Sequence, residues 1–163
     1  MSEPLRIAFE LNGEPVQILA RPSQTVLEVL RDVVGASEVK YGCGEGVCGT
    51  CTVLLDGDSV NACLLFAPQV AGRSIVTLRG LEVDGQLSGL QSAFLAHGGS
   101  QCGFCTPGMI LTAHEFLQAC PGADREEIRA ALTGNLCRCT GYAKILDAVV
   151  AYASDARTGG EAP

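Results

Sequence analysis

Apolar and polar residues alternate over residues 5–20, where Leu5, Ile7 and Phe9 lead into Asn12-Gly13 and Val16 and Ile18 follow it. A period of two on both sides of an Asn-Gly pair predicts a β-hairpin. The period then lengthens. Thr25 precedes Val26, Leu27, Val29, Leu30 and Val33, with Glu28 three residues after the threonine. That pattern predicts a helix opened by a capping box. Apolar runs at 52–55, 59–63 and 74–78 predict three more strands, the first two joined by Asp56-Gly57-Asp58. Strands on either side of a single helix predict a small α+β domain, with the helix laid across a mixed sheet.

Beyond residue 80 the pattern becomes helical. Leu87, Leu90, Phe94 and Leu95 form one face, ended by Gly98-Gly99. Thr106 and Pro107 read as an N-cap and first helical residue, followed by Met109, Ile110, Ala113, Phe116 and Leu117 until Pro121-Gly122. Asp124 with Glu127 opens a third helix, and Thr140 a fourth that carries Ile145, Leu146 and Val149. Four short helices with short loops predict a compact all-α bundle. The expected domains are therefore 1–80 and 81–153, with 154–163 as a flexible tail.

Composition narrows the chemistry. Of 163 residues 47% are hydrophobic, but only 5% are aromatic, Trp is absent and 20 are Gly. So light a core suggests that something besides hydrophobic burial helps hold the chain together. A net charge of −7 with no basic cluster opposes a phosphate backbone, which argues against nucleic acid as a partner. The N-terminal residues lack a basic segment followed by an apolar one, and no apolar run is long enough to span a membrane. A cytoplasmic protein is expected. Nine cysteines in a reducing compartment are better read as metal ligands than as disulfides.

Eight of them fall into two sets. Cys43, Cys48, Cys51 and Cys63 have the spacing C-x4-C-x2-C-x11-C, that of a plant-type [2Fe–2S] cluster. Glycines 42, 44, 46 and 49 let the backbone between these residues approach sulfur closely. The same stretch matches G-x-G-x-x-G, but a dinucleotide loop follows a strand and opens a helix; here a helix precedes and a strand follows. The second set is Cys102 and Cys105 in QCGFCTPG, with Cys137 and Cys139 in GNLCRCTGY. Each pair is expected just before a helix, whose N-terminal N–H groups favour negative charge. Structural zinc also takes four cysteines and is the alternative for this set.

Little else offers chemistry. Cys120 ends an apolar helix and reads as a small buried hydrophobe. His97 and His114 lie outside the cysteine motifs, against a Rieske centre. No nucleophile–base arrangement, paired carboxylates or phosphate loop is evident, so no substrate site is expected.

Together these motifs resemble the iron–sulfur subunit of bacterial molybdenum hydroxylases, the family of xanthine dehydrogenase, aldehyde oxidoreductase and the quinoline, nicotinate and carbon monoxide dehydrogenases. The resemblance spans about residues 5–152, with all eight ligand positions in place. It implies a β-grasp ferredoxin-like domain followed by a four-helix [2Fe–2S]-binding domain. It also implies that the chain passes single electrons between a molybdenum–pterin cofactor on a large subunit and FAD on a medium subunit, or another acceptor, in a hetero-oligomer such as a dimer of heterotrimers. By the same resemblance Gln101 contacts the pterin and Cys139 lies between cluster and pterin. A free-standing two-cluster ferredoxin and a zinc-stabilised adaptor are the rival functions.

Overall fold

The computed structural model describes residues 3–157. Strands β1 (Leu5–Leu11) and β2 (Glu14–Ala20) form the expected antiparallel hairpin, with Ile7 opposite Ile18 and Phe9 opposite Val16. Asn12 and Gly13 turn the chain at φ 53° and 84°, the left-handed pair a type I′ turn requires. Asn12 does more than turn. Its Oδ1 accepts from the Thr77 N–H at 2.8 Å and its Nδ2 donates to the Thr77 hydroxyl at 3.0 Å, which pins the hairpin turn to the residue that follows the neighbouring central strand of the sheet.

Strands β3 (Thr52–Leu55), β4 (Asp58–Asn61) and β5 (Ser74–Val76) complete a five-stranded sheet in the order β2-β1-β5-β3-β4. β1 and β5 run parallel and the other neighbours antiparallel, so the sheet is mixed as expected. β4 and β5 stop earlier than their apolar runs. The chain turns after Asn61, whose carbonyl accepts from the Leu64 N–H, and the Thr77 N–H goes to Asn12 instead of a strand partner.

Thr25 caps the first helix as its spacing predicts, accepting from the Glu28 N–H at 3.2 Å while the Glu28 carboxylate accepts from the Thr25 N–H at 2.7 Å. Only Val26–Glu28 (α1) is α-helical; Val29–Val34 continues as π-helix to Gly35 at φ 84°. The widened turn buries Val26, Leu27, Val29 and Leu30 with Ile7, Phe9 and Ile75 of the sheet, and leaves Val33 outside. Thr25→Ala should lower the stability of this domain by about 1 kcal/mol. Thermal unfolding would check this, and an unchanged Tm would mean that the cap contributes nothing.

Helices α2 (Gly89–Ala96), α3 (Thr106–Ala119), α4 (Arg125–Ala131) and α5 (Ala143–Arg157) form the second unit, around Leu90, Phe94, Met109, Ile110, Ile128, Ile145 and Val149. Strand β3 serves both cores. Val53 and Leu55 face the first, while Leu54, on the opposite face of the pleat, is buried in the second. Among the described residues no helix is long and apolar enough to cross a membrane.

Several helix details depart from the sequence pattern. Leu87 precedes α2 and Leu95 points outward; the buried partner of Leu90 and Phe94 is Gln91, whose Nε2 donates to the Leu78 carbonyl at 3.2 Å. Helix α3 starts one residue early, with Cys105 in the N-cap position. Helix α5 starts at Ala143, not Thr140, because Gly141 and Tyr142 adopt φ 62° and 68° and interrupt any helix there. At its other end α5 runs to Arg157, with Ala153 buried, so residues 154–157 are helical; residues 158–163 lie outside the described part. Cys120 is exposed, not buried, because it falls one residue beyond α3.

Candidate metal centres

Residues 42–51 have no regular structure, and their backbone curls around sulfur. The Glu45 and Val47 N–H groups point at Cys43 Sγ at 3.3 and 3.4 Å, and the Cys43 N–H points at Cys48 Sγ at 3.4 Å. Donors from Glu45, Cys48 and Val47 pull the Cys43 thiol down to about 6. A Cβ on Gly42 would sit 2.8 Å from Cys48 Sγ, so the loop closes over that sulfur only with glycine there. Cys51 lies at the entry to β3 and Cys63 just beyond β4, both buried, each facing the other. Burial, with Cys63 beside it, pushes the Cys51 thiol up to about 12.

The second set assembles where α3 begins and α5 is about to begin. Cys102 and Cys139 are exposed, with their sulfurs 3.5 Å apart, and this mutual contact raises the Cys139 thiol above its ordinary range. Cys105 is buried against Cys137 and, mainly through that burial, pushed up to about 12. Burial would also raise Cys137, but the Thr140 hydroxyl at 3.0 Å and N–H at 3.4 Å outweigh it and hold the thiol below its usual value. The expected delivery of all four thiols to helix N-termini thus holds for Cys105 alone of the two helix entries. At Cys137 a threonine and a left-handed turn take that part.

The two sets meet at a seam. The Leu136 N–H donates to the Cys48 carbonyl at 2.9 Å, joining a residue of the first set to the neighbour of Cys137. Beside it the buried Asn135 donates through Nδ2 to the Gly49 carbonyl at 2.9 Å, and the Thr50 hydroxyl donates to the Phe104 carbonyl at 2.9 Å. The backbones are in close contact: a Cβ on Gly49 would lie 2.3 Å from the Gly134 carbonyl oxygen, and one on Gly108 2.4 Å from that of Gly49. Asn135, Thr140 and Thr50 are the functional neighbours that spacing does not announce. Each acts on a residue distant in sequence or on sulfur, and no local pattern marks such a role.

The donor chemistry fits an iron–sulfur group in both places. Each set is all thiol, the ligand type that soft iron–sulfur chemistry selects. Within each set the sulfurs converge in twos, Cys43 with Cys48 and Cys51 with Cys63, then Cys102 with Cys139 and Cys105 with Cys137. Two thiolates for each of two irons is what a [2Fe–2S] cluster uses, whereas zinc takes four around one ion. Raised thiols such as Cys51 and Cys105 ionise readily only when a bound cation offsets their burial. The remaining candidates stand apart: His97 is exposed at the end of α2, and His114 is half buried on α3, where desolvation lowers its pKa.

Residues 9–71 match the family model described as a 2Fe-2S iron-sulfur cluster binding domain, and residues 77–150 match a second, the [2Fe-2S] binding domain. The small FeS subunit of nicotinate dehydrogenase from Eubacterium barkeri is 49% identical over 149 residues, covering 91% of this chain and 94% of that one. The iron-sulfur-binding subunit of xanthine dehydrogenase from Escherichia coli O157:H7 is 43% identical, over 91% and 94% of the two chains. The chain belongs to the iron–sulfur subunit family of the molybdenum hydroxylases. Quinoline 2-oxidoreductase from Pseudomonas putida 86 superposes with a TM-score of 0.91 at 44% identity, over 98% of this chain and 99% of its own. Aldehyde oxidoreductase from Desulfovibrio gigas gives 0.88 at 37% identity, and there the match occupies 17% of a much longer chain. As a molybdenum hydroxylase iron–sulfur subunit, the protein is the two-cluster, electron-transferring part of an oxidoreductase. Its fold is the ferredoxin-like sheet domain followed by the helical [2Fe–2S] domain.

Proposed function

We propose that Cys43, Cys48, Cys51 and Cys63 hold one [2Fe–2S] cluster within residues 1–80, and that Cys102, Cys105, Cys137 and Cys139 hold the other within residues 81–153. Bound there, the clusters supply one-electron redox capacity. The chain's own part is to fix the two thiolate sets against each other, shield them from water and present an open edge at each end. The Leu136–Cys48 hydrogen bond carries this reading. It offers a short backbone link between ligand loops that come from different domains, as a relay of single electrons needs.

The exposed edge of the second set is the proposed approach of the molybdenum–pterin cofactor, held by a large subunit. Gln101 is exposed beside Cys102, and Cys102 touches Cys139, so Gln101 and Cys139 share one rim. At the other end, Tyr41 and Val47 are exposed around the first loop and Leu64 beside Cys63. This collar suits an apolar protein contact, which we assign to a FAD-bearing medium subunit. The assembly proposed is a cytoplasmic hetero-oligomer, such as a dimer of heterotrimers, with substrate bound on the large subunit.

Electron paramagnetic resonance of the dithionite-reduced complex, with metal analysis of the same sample, tests this directly. Two distinct [2Fe–2S] signals and molybdenum are expected. Zinc in place of iron at the second set would overturn the relay. Gln101→Ala should alter the molybdenum signal and lower turnover by roughly 10- to 100-fold, the usual loss when a supporting contact to a metal centre is removed. Both cluster signals should stay intact, and an unchanged molybdenum signal would remove Gln101 from the pterin contact.

A further inference from the structure

Cys137 occupies a singular place, being one bond from the seam residue Leu136 and the only cysteine whose sulfur is met by a side-chain hydroxyl among the described hydrogen bonds. Thr140 Oγ1 lies 3.0 Å from Cys137 Sγ and its own N–H 3.4 Å away. The hydroxyl is not free to turn elsewhere. Its lone pair accepts from the Tyr142 N–H at 3.1 Å, which leaves its one proton for sulfur. The Tyr142 phenol oxygen in turn accepts from the Cys137 N–H at 3.0 Å, closing a ring of contacts through residues 137, 140 and 142. The ring is held by Tyr142 at φ 68°, a conformation that costs a bulky residue energy and persists where its surroundings fix it.

We infer that the Thr140 hydroxyl raises the reduction potential of the second cluster by donating a hydrogen bond to the Cys137 sulfur. The inference rests on the relay proposed above. One electron enters on reduction without an accompanying proton, so the reduced centre carries one more negative charge than the oxidised one. A donor fixed on a ligand sulfur therefore favours the reduced form, and hydrogen bonds to sulfur are among the determinants of cluster potential. In the first loop the donors to Cys43 and Cys48 are backbone N–H groups, which side-chain substitution leaves in place. At the second set one of the donors is a side chain and can be removed alone. Thr140 is thus a tuning residue that acts through Cys137.

The test is a redox titration of the purified complex, followed by electron paramagnetic resonance, for wild type, Thr140→Val, Thr140→Ala and Thr140→Ser. The midpoint of the second cluster should fall in the Val and Ala variants and return towards wild type in the Ser variant. The midpoint of the first cluster should not move. An unshifted Ala midpoint, or a Ser variant shifted as far as Ala, would overturn the inference, since in either case the hydroxyl is not the cause. If the valine variant fails to assemble its cluster, the Ala–Ser comparison decides alone. A wild-type complex with no second midpoint would overturn both this inference and the relay, which separates failure of the function from failure of the residue.

Discussion

Cys48→Ser should remove the first cluster and leave the second. The complex should lose about half its iron and one of its two [2Fe–2S] signals, while substrate still reduces the signal that remains. Turnover with the physiological acceptor should drop by more than about 100-fold, beyond the upper end of losses seen when only a ligand's supporting partner is removed. The selectivity follows from the structure. Cys48 lies in a loop of the first domain, whereas the second thiol set lies in turns between helices that have their own core. The substitution also spares the Cys48 carbonyl, so the link to Leu136 can persist and the fault lies in the missing thiolate. Joint loss of both signals would show that the two centres cannot form independently, and the two-domain assignment would fall with it.

Gly108→Ala should be a damaging change although it replaces no cysteine and adds a single methyl group. By helix propensity alone the substitution is favourable by about 1 kcal/mol, because Gly108 lies within α3. The seam reverses that sign. The new Cβ would lie 2.4 Å from the Gly49 carbonyl oxygen and 3.1 Å from Asn135 Nδ2. The first of these is backbone of the cluster loop and cannot swing aside, so the helix and the loop must separate. Overpacking of this kind costs about 3 kcal/mol, which leaves a net loss of about 2 kcal/mol after the propensity gain and for a chain of this size lowers Tm by roughly 4–8 °C. Gly122→Ala is the control: nothing lies within 4 Å of its Cβ position, and the change should stay within about 0.5 kcal/mol. Calorimetry of both variants decides the matter. A Gly108→Ala protein as stable as wild type would mean the seam opens without cost.

Much of this architecture is legible along the chain because it is encoded locally. The Asn12-Gly13 turn, the capping boxes at Thr25 with Glu28 and at Asp124 with Glu127, and the two cysteine spacings all lie within a few residues of what they determine. Errors arise where a distant partner overrides the local pattern. Thr140 has the chemistry of an N-cap and its hydroxyl accepts from the Tyr142 N–H, but Gly141 and Tyr142 are held left-handed there, so the helix waits until Ala143. Gln91 takes a core position expected of a leucine because the Leu78 carbonyl needs a donor. Asn135 sits in an unremarkable Gly-Asn-Leu run, yet it spans 86 positions to reach Gly49. No periodicity reports a contact of that range. The cysteines escaped the difficulty because their spacing is itself the signal, although which sulfurs pair face to face emerges only from the fold.

The joint between the two ligand loops has a bearing on how such subunits diverge. At position 136 the leucine side chain is half exposed, and what meets the first loop is its N–H; at position 48 the partner is a main-chain carbonyl. Every residue type but proline supplies that N–H. Selection acting on the conduit therefore has little purchase on the identity of residue 136, which can drift to suit whichever partner surface it meets. The tolerance ends at Gly49 and Gly108, where it is the absence of a side chain that keeps the loops in contact. A lineage can thus reshape the outside of the wire while its inner spacing stays fixed by two hydrogen atoms where other residues carry carbon.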